Sequence, residues 1–158
     1  IYEKICERIK SKNIKIVVDS TKDLLLNTLK YKPFLIKPNH HELGEIFDTK
    51  IKTKAQALEY AQKLQQKGAQ NVLVSMGSDG SVLLDENRNA HKYDAIKNKN
   101  IVNTVGAGDS MVAGFLAGYL KYKNYEKALK LRIASATATA NSVYLEMKDK
   151  IFEYFTNF

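Results

Sequence analysis

The sequence predicts an α/β fold, a mainly parallel sheet flanked by helices. Three observations carry this expectation. Short runs of β-branched or apolar residues recur at 14–18, 34–36 and 71–75, nearly continuous, as strands buried on both faces require. Helical periodicity fills the intervals between them, at 22–30, 40–47 and 53–67. Strands separated by helices imply crossover connections and parallel pairing. No internal repeat and no linker-like stretch divides the 158 residues, so a single α/β unit is expected.

Each element has its own local reason. Ile1, Ile5 and Ile9 recur every fourth residue, with Tyr2 and Cys6 alongside, as in an amphipathic helix. The first strand, 14–18, ends at Asp19, at the sheet edge where α/β proteins bind ligands. A short helix over 22–30 stops ahead of Pro33, and the strand 34–36 is closed by Lys37-Pro38-Asn39. One or two helical turns follow over 40–47. Thr53 caps a longer helix through Lys67, with Ala57, Leu58, Ala61 and Leu64 on its inner face and Gly68 as terminator. The strand 71–75 leads into the tight turn Gly77-Ser78-Asp79-Gly80. A further strand over 81–84 turns through 86–89 into 91–95. Ile101-Val102 precedes a Gly-rich stretch, after which helices are expected over 109–122, over 125–144 behind Asn124, and around Ile151, Phe152 and Phe155.

Composition narrows the function classes. The formal net charge is +8, but the excess is almost all lysine and is spread through the chain. No basic block alternates with aromatics as a nucleic-acid stacking platform would, so no nucleic-acid partner is expected. The longest apolar stretches are far too short to span a bilayer, and no membrane association is expected. The single cysteine, Cys6, excludes an internal disulfide and a Cys-rich zinc site, and suits a reducing, cytoplasmic setting. His40-His41-Glu42 lacks the H-E-x-x-H spacing of zinc peptidases and reads as polar surface.

The chemistry concentrates in Asn103-Thr104-Val105-Gly106-Ala107-Gly108-Asp109-Ser110, which runs straight into an apolar helix. Two glycines and an alanine let backbone N–H groups approach an anion at a helix start. A carboxylate there would repel a bound phosphate, yet it suits a base that takes a proton from an attacking hydroxyl. An Asp N-cap after a Gly-rich loop is the plainer alternative. No Gly-Lys-Ser/Thr follows, so this is not a Walker A loop.

The run 103–116 matches, position by position, the C-terminal signature of the PfkB (ribokinase-like) carbohydrate kinases. Two further stretches resemble the same family in the same order, Lys37-Pro38-Asn39-His40-His41-Glu42-Leu43 and Val74-Ser75-Met76-Gly77-Ser78-Asp79-Gly80. The resemblance implies ATP and Mg2+ as cofactors. It implies Asp109 as catalytic base, with the amides of Gly106, Ala107 and Gly108 forming an anion hole. Asn39 and Glu42 would orient magnesium, Lys37 would reach a nucleotide phosphate, and Ser75, Gly77 and Gly80 would line the phosphate end. The small-residue stretch through Asn141 would flank the adenine. Each has a structural alternative: a solvated lysine, an ordinary Pro-Asn turn, a first-turn Glu favoured by the helix dipole, small residues that allow close helix packing.

Within the family, Val17-Val18-Asp19-Ser20 and the two shorter motifs most resemble the 1-phosphofructokinase and tagatose-6-phosphate kinase branch, whose substrates already carry one phosphate. The resemblance further implies a ribokinase-like fold lacking the N-terminal half and the lid. Residues 1–158 would then be the C-terminal nucleotide-binding and catalytic portion, inactive alone toward its sugar-phosphate substrate. Exposed strand edges would favour a homo-oligomer.

Overall fold

The computed structural model describes residues 1–95, 106–141 and 148–156. They divide between two compact units, Ile1–Asp94 and Ala95–Phe158. The expected pair Ile101-Val102, the first residues of the Gly-rich run and the far end of the helix expected over 125–144 lie outside the described residues.

In the first unit the chain order is α1 (Tyr2–Ile9), β1 (Val17–Val18), α2 (Lys22–Leu26), a 3-10 turn at Leu29–Tyr31 and β2 (Leu35–Ile36). Then come α3 (His40–Ile46), α4 (Lys54–Gln66), β3 (Asn71–Ser75), a 3-10 turn at Gly77–Asp79, β4 (Ser81–Leu84) and β5 (Ala90–Tyr93). The five strands stand in sequence order in one sheet. β1, β2 and β3 run parallel, whereas β4 and β5 are antiparallel to their neighbours, so the sheet is mixed where it leaves the helical crossovers.

The first two strands are shorter than their apolar runs. Pro33 has no N–H to donate and Pro38 closes the far end, so β2 is confined to the residues between them. The β1 ladder runs from the bond of Leu35 N to Ile16 O to that of Lys37 N to Val18 O, 3.3 Å each. Ile36, Val72, Val74, Val82 and Leu84 share one face with Leu43, Ala57, Ala61 and Leu64 from α3 and α4. Leu35, Leu73 and Leu83 alternate to the other face and are also fully buried. Two buried faces explain why these strands read as continuous apolar runs.

α4 begins and ends where its sequence requires. Thr53 accepts from Gln56 N while the Gln56 side chain accepts from Thr53 N, a reciprocal cap. α1 is less well covered: Cys6 is buried, but Ile1, Tyr2 and Ile5 are exposed, as is Ile14 beside the edge strand. Burial pushes the Cys6 thiol up from its ordinary value.

The second unit holds α5 (Ala107–Tyr122), α6 (Tyr125–Ala140) and α7 (Lys148–Thr156). Asn124 caps α6 as expected, accepting from Lys127 N at 2.9 Å. α5 and α6 approach closely because glycine leaves room. A Cβ on Gly118 would stand 2.7 Å from Ala128 Cα, and one on Gly114 would stand 2.4 Å from Ser135 Oγ.

The β4–β5 hairpin is held by a buried carboxylate. Asp85 accepts from Asn87 N and Asn89 N at 2.9 Å each, from Asn89 Nδ2 at 3.2 Å and from His91 Nε2 at 2.8 Å. Burial works to raise its pKa, but the bonds from His91, Asn89 and Asn87 outweigh it and the net shift is downward. A depressed folded pKa means stability that is present above the unfolded value, about 3.9, and lost as pH falls through the folded one. Urea midpoints of the wild type should therefore drop more steeply below about pH 4 than those of Asp85→Asn. At neutral pH, Asp85→Ala should cost about 1–3 kcal/mol by leaving two backbone donors unpaired.

Candidate active site

The C-terminal edge of the parallel strands gathers the first group of expected site residues. The register Val17↔Leu35 and Val18↔Ile36 carries the two chains side by side into Asp19 and Lys37. Lys37 Nζ lies 3.2 Å from Asp19 Oδ2; the lysine side chain is only 9% exposed, the aspartate 38%. One step further, Asn39 forms an isolated parallel bridge with Ser75, and Ser75 N donates to Pro38 O at 3.2 Å. The Lys-Pro-Asn stretch and the end of β3 are thus stitched together by backbone. This is the edge where ligands sit in open α/β sheets.

Asn39 and Glu42 are engaged with each other. Asn39 Oδ1 accepts from His41 N and Glu42 N at 2.9 Å, and Glu42 Oε2 accepts from Asn39 N at 2.8 Å. The N-x-x-E spacing is therefore a capping box at the start of α3. Those three bonds leave Glu42 Oε1 and Asn39 Nδ2 outside the cap. His40, read from the sequence as polar surface, places Nδ1 3.4 Å from Ser75 O, too long to count as a strong bond.

The turn after β3 closes on itself, with Met76 N donating to Gly80 O at 2.9 Å and Gly80 N to Gly77 O at 3.1 Å. Gly77 and Gly80 adopt φ of 57° and 86°. A Cβ on Gly77 would meet nothing within 4 Å, so the space over this turn is open. Glycine is favoured there by the left-handed backbone, not by crowding.

In the second unit the helix begins two residues earlier than its sequence suggested. Gly106, at φ 78°, is the N-cap, and Ala107 and Gly108 already belong to α5. The bond from Ser110 N to Gly106 O, 2.9 Å, closes the first helical turn. The amides of Ala107, Gly108 and Asp109 consequently have no acceptor within the helix. Asp109 sits in that same turn and is exposed. The physical reason for the shift is that Gly106 supplies the left-handed turn, after which Ala-Gly is free to be helical.

Ser110 Oγ accepts from the buried Thr139 Oγ1 at 2.8 Å, which ties the start of α5 to the end of α6. Asn141, just beyond α6, therefore stands at the same end of the helix pair as Asp109. Its Nδ2 donates to Tyr154 Oη on α7 at 2.9 Å, while its buried Oδ1 has no hydrogen-bond partner among the described residues.

The structure thus brings Lys37, Asn39, Glu42 and Ser75 together, with Gly77 and Gly80 in the turn that follows. It brings Gly106, Ala107, Gly108 and Asp109 into one helical turn. Sequence reading placed Asp19 at the edge but missed its pairing with Lys37. The signal was available, since both residues directly follow strands that pair in register. The Ser110–Thr139 and Asn141–Tyr154 bonds had no such signal, because they join helices whose rotation only packing decides.

Residues 1–146 match the pfkB family carbohydrate kinases. The chain belongs to that family. It is 46% identical over 141 residues to the 1-phosphofructokinase of Bacillus subtilis, covering 89% of this chain and 46% of the relative. It is 34% identical over 143 residues to the D-tagatose-1-phosphate kinase of Bacillus licheniformis, covering 90% and 46%. A candidate phosphofructokinase from Staphylococcus aureus superposes with a TM-score of 0.91 at 38% identity, over 98% of this chain and 50% of that one. The chain spans about half the length of the relatives it matches. No helix among the described residues is long and apolar enough to cross a membrane.

The capping box separates two roles of Glu42 by experiment. Glu42→Gln keeps an acceptor for Asn39 N and should leave the urea midpoint nearly unchanged. Glu42→Ala removes it and should cost about 1 kcal/mol.

Proposed function

We propose that the chain supplies the nucleotide-binding and phosphoryl-transfer portion of an ATP-dependent sugar-phosphate kinase. The favoured reaction converts fructose 1-phosphate to fructose 1,6-bisphosphate. The observation that carries this reading is the first turn of α5, where an exposed carboxylate shares one turn with amides that have no acceptor within the helix. Asp109 takes the proton of the acceptor hydroxyl as its oxygen attacks the γ-phosphorus. The amides beside it stabilise charge on the transferred group without having to reorganise. With the helix starting at Ala107, the donors are those of Ala107 and Gly108, joined by Asp109's own amide.

Lys37, Ser75, Gly77 and Gly80 are assigned to the nucleotide phosphates, and Asn141 to the adenine side. ATP supplies the phosphoryl group, and a divalent cation neutralises its charge. Glu42 Oε1, outside the cap, offers that cation a hard oxygen, as does Asp19. No group of three or more His, Cys, Asp or Glu side chains among the described residues forms a metal cage. Two sparse carboxylates suit magnesium, which keeps much of its water. Because Asn39 Oδ1 is committed to the cap, its part is to hold Glu42 in place.

A chain spanning under half the length of its curated relatives is read as one part of the catalyst. Alone it should phosphorylate neither fructose 1-phosphate nor tagatose 6-phosphate; the tagatose kinase among its relatives is named for the 1-phosphate. The exposed Ile1, Tyr2, Ile5 and Ile14 should make the isolated chain self-associate with concentration in sedimentation, and Ile5→Lys should reduce this.

The decisive substitution is Asp109→Asn in a kinase of full family length carrying this segment. Turnover with fructose 1-phosphate should fall by about 10²–10⁴-fold while ATP affinity stays within about threefold. Preserved turnover would instead assign the segment to nucleotide or phosphate binding without transfer chemistry.

A further inference from the structure

We propose that the protein carries a second anion site, at the other end of β1 and β2 from Asp19 and Lys37, which takes a small molecule bearing two or more phosphate groups. The site uses none of the residues assigned to the kinase reaction.

The strands place it. Residues 14–16 lead into β1 and residues 32–34 into β2, whereas Asp19 and Lys37 follow those strands. The two lead-in segments, with the end of α1, line a cavity of about 420 Å³, within the size range of small-molecule sites. Ile16 precedes Asp19 by three residues, about 10 Å along an extended chain, so the strand separates the cavity from the catalytic edge.

Four lysines line this cavity, Lys10, Lys12, Lys15 and Lys32, and no acidic residue does. Glu7 and Glu3 of α1 pair with Lys10 and Lys30. Lys12 and Lys32 have no ion pair among the described residues. The dipole at the end of α1 accounts for a lysine at position 10, but Lys12, Lys15 and Lys32 lie beyond that helix. Like charges gathered at one hollow repel each other, and an anion bridging them relieves the repulsion. Ammoniums arriving from separate segments favour a ligand with several anionic groups over a single phosphate.

The lysines are presented from backbone that is already held. Lys12 N donates to Ile9 O at 2.9 Å, and Ile14 N to Lys12 O at 2.7 Å. Lys32 N donates to Leu29 O at 2.9 Å, while its carbonyl accepts from Gln70 Nε2 at 3.0 Å. Lys15 Nζ stands 4.1 Å from the centroid of the Phe34 ring, which steadies the ammonium without neutralising it. Little backbone order therefore has to be gained on binding.

The test titrates the 158-residue chain calorimetrically in EDTA, as wild type and as Lys37→Met, which silences the catalytic edge. The ligands are sodium tripolyphosphate, fructose 1,6-bisphosphate and inorganic phosphate. In both proteins one of the first two should bind at least about tenfold tighter than inorganic phosphate. Which of them is tighter tells a polyphosphate source from a sugar bisphosphate, and either result supports the site. Added to Lys37→Met, Lys12→Gln/Lys32→Gln should weaken that binding by about tenfold, roughly threefold for each partly screened charge. Lys92→Gln/Lys148→Gln, which removes two charges outside the cavity, should change it by less than about twofold. Far-UV circular dichroism checks each fold, and the single Lys12→Gln and Lys32→Gln variants replace the double one if it unfolds. Loss of binding in Lys37→Met alone assigns the ligand to the catalytic edge and overturns the second site, leaving the kinase reading intact. Equal weakening by both double variants overturns it as well. So does tighter, Lys12- and Lys32-dependent binding of a short DNA duplex, which would make these lysines a nucleic-acid surface.

Discussion

The parallel register between β1 and β2, prolonged by the Asn39–Ser75 bridge, is the constraint from which the first unit's site follows. Hydrophobic alternation alone could not set it, because both faces of β2 are buried and a slipped strand would still present apolar residues to each side. Backbone bonds flanking the ladder hold it: Gln70 N donates to Pro33 O, Asn71 N to Phe34 O, Lys37 N to Val18 O and Ser75 N to Pro38 O. Once that short ladder forms, Asp19, Lys37, Asn39 and Ser75 must emerge at one edge.

The second unit achieves an equally defined edge by different means. Glycines at 114 and 118 let α5 and α6 approach to distances that any side chain would prevent. The Thr139–Ser110 bond then fixes the ends of that pair. Arg132 of α6 is enclosed enough that burial pushes its guanidinium down to about 9. The first turn of α5 is thereby mounted on a tightly packed pair, which suits the proposed role of its amides, facing an anion without moving.

The Asn39–Glu42 pair shows that structural and chemical explanations of a motif need not compete. Its spacing is that of a capping box, and the box is formed. The cap consumes one oxygen of the carboxylate and orients the other. A first-turn glutamate favoured by the helix dipole and the glutamate proposed to face a cation would be the same side chain in the same rotamer.

Much of this was legible in the residues. Thr53 and Asn124 announced their helices because a cap is a local bond between a side chain and an amide two or three residues away. The strand at 71–75 was visible because burial on both faces leaves a continuous apolar signature. The Gly-Ala-Gly-Asp stretch stood out through residue types that suit an anion at a helix start, and the Lys-Pro-Asn and Ser-Met-Gly stretches through their resemblance to the family. What the sequence could not reach were quantities that depend on partners far along the chain. The length of β1 was decided by its ladder with β2, the start of α5 by a left-handed Gly106, and the partner of Lys37 by strand register. Sequence by itself determined the class of fold, its caps and its chemically active stretches, because these are local properties. Tertiary structure alone decided which of those groups meet and which atoms they spend on each other, because pairing is settled by register and packing between segments distant in the chain.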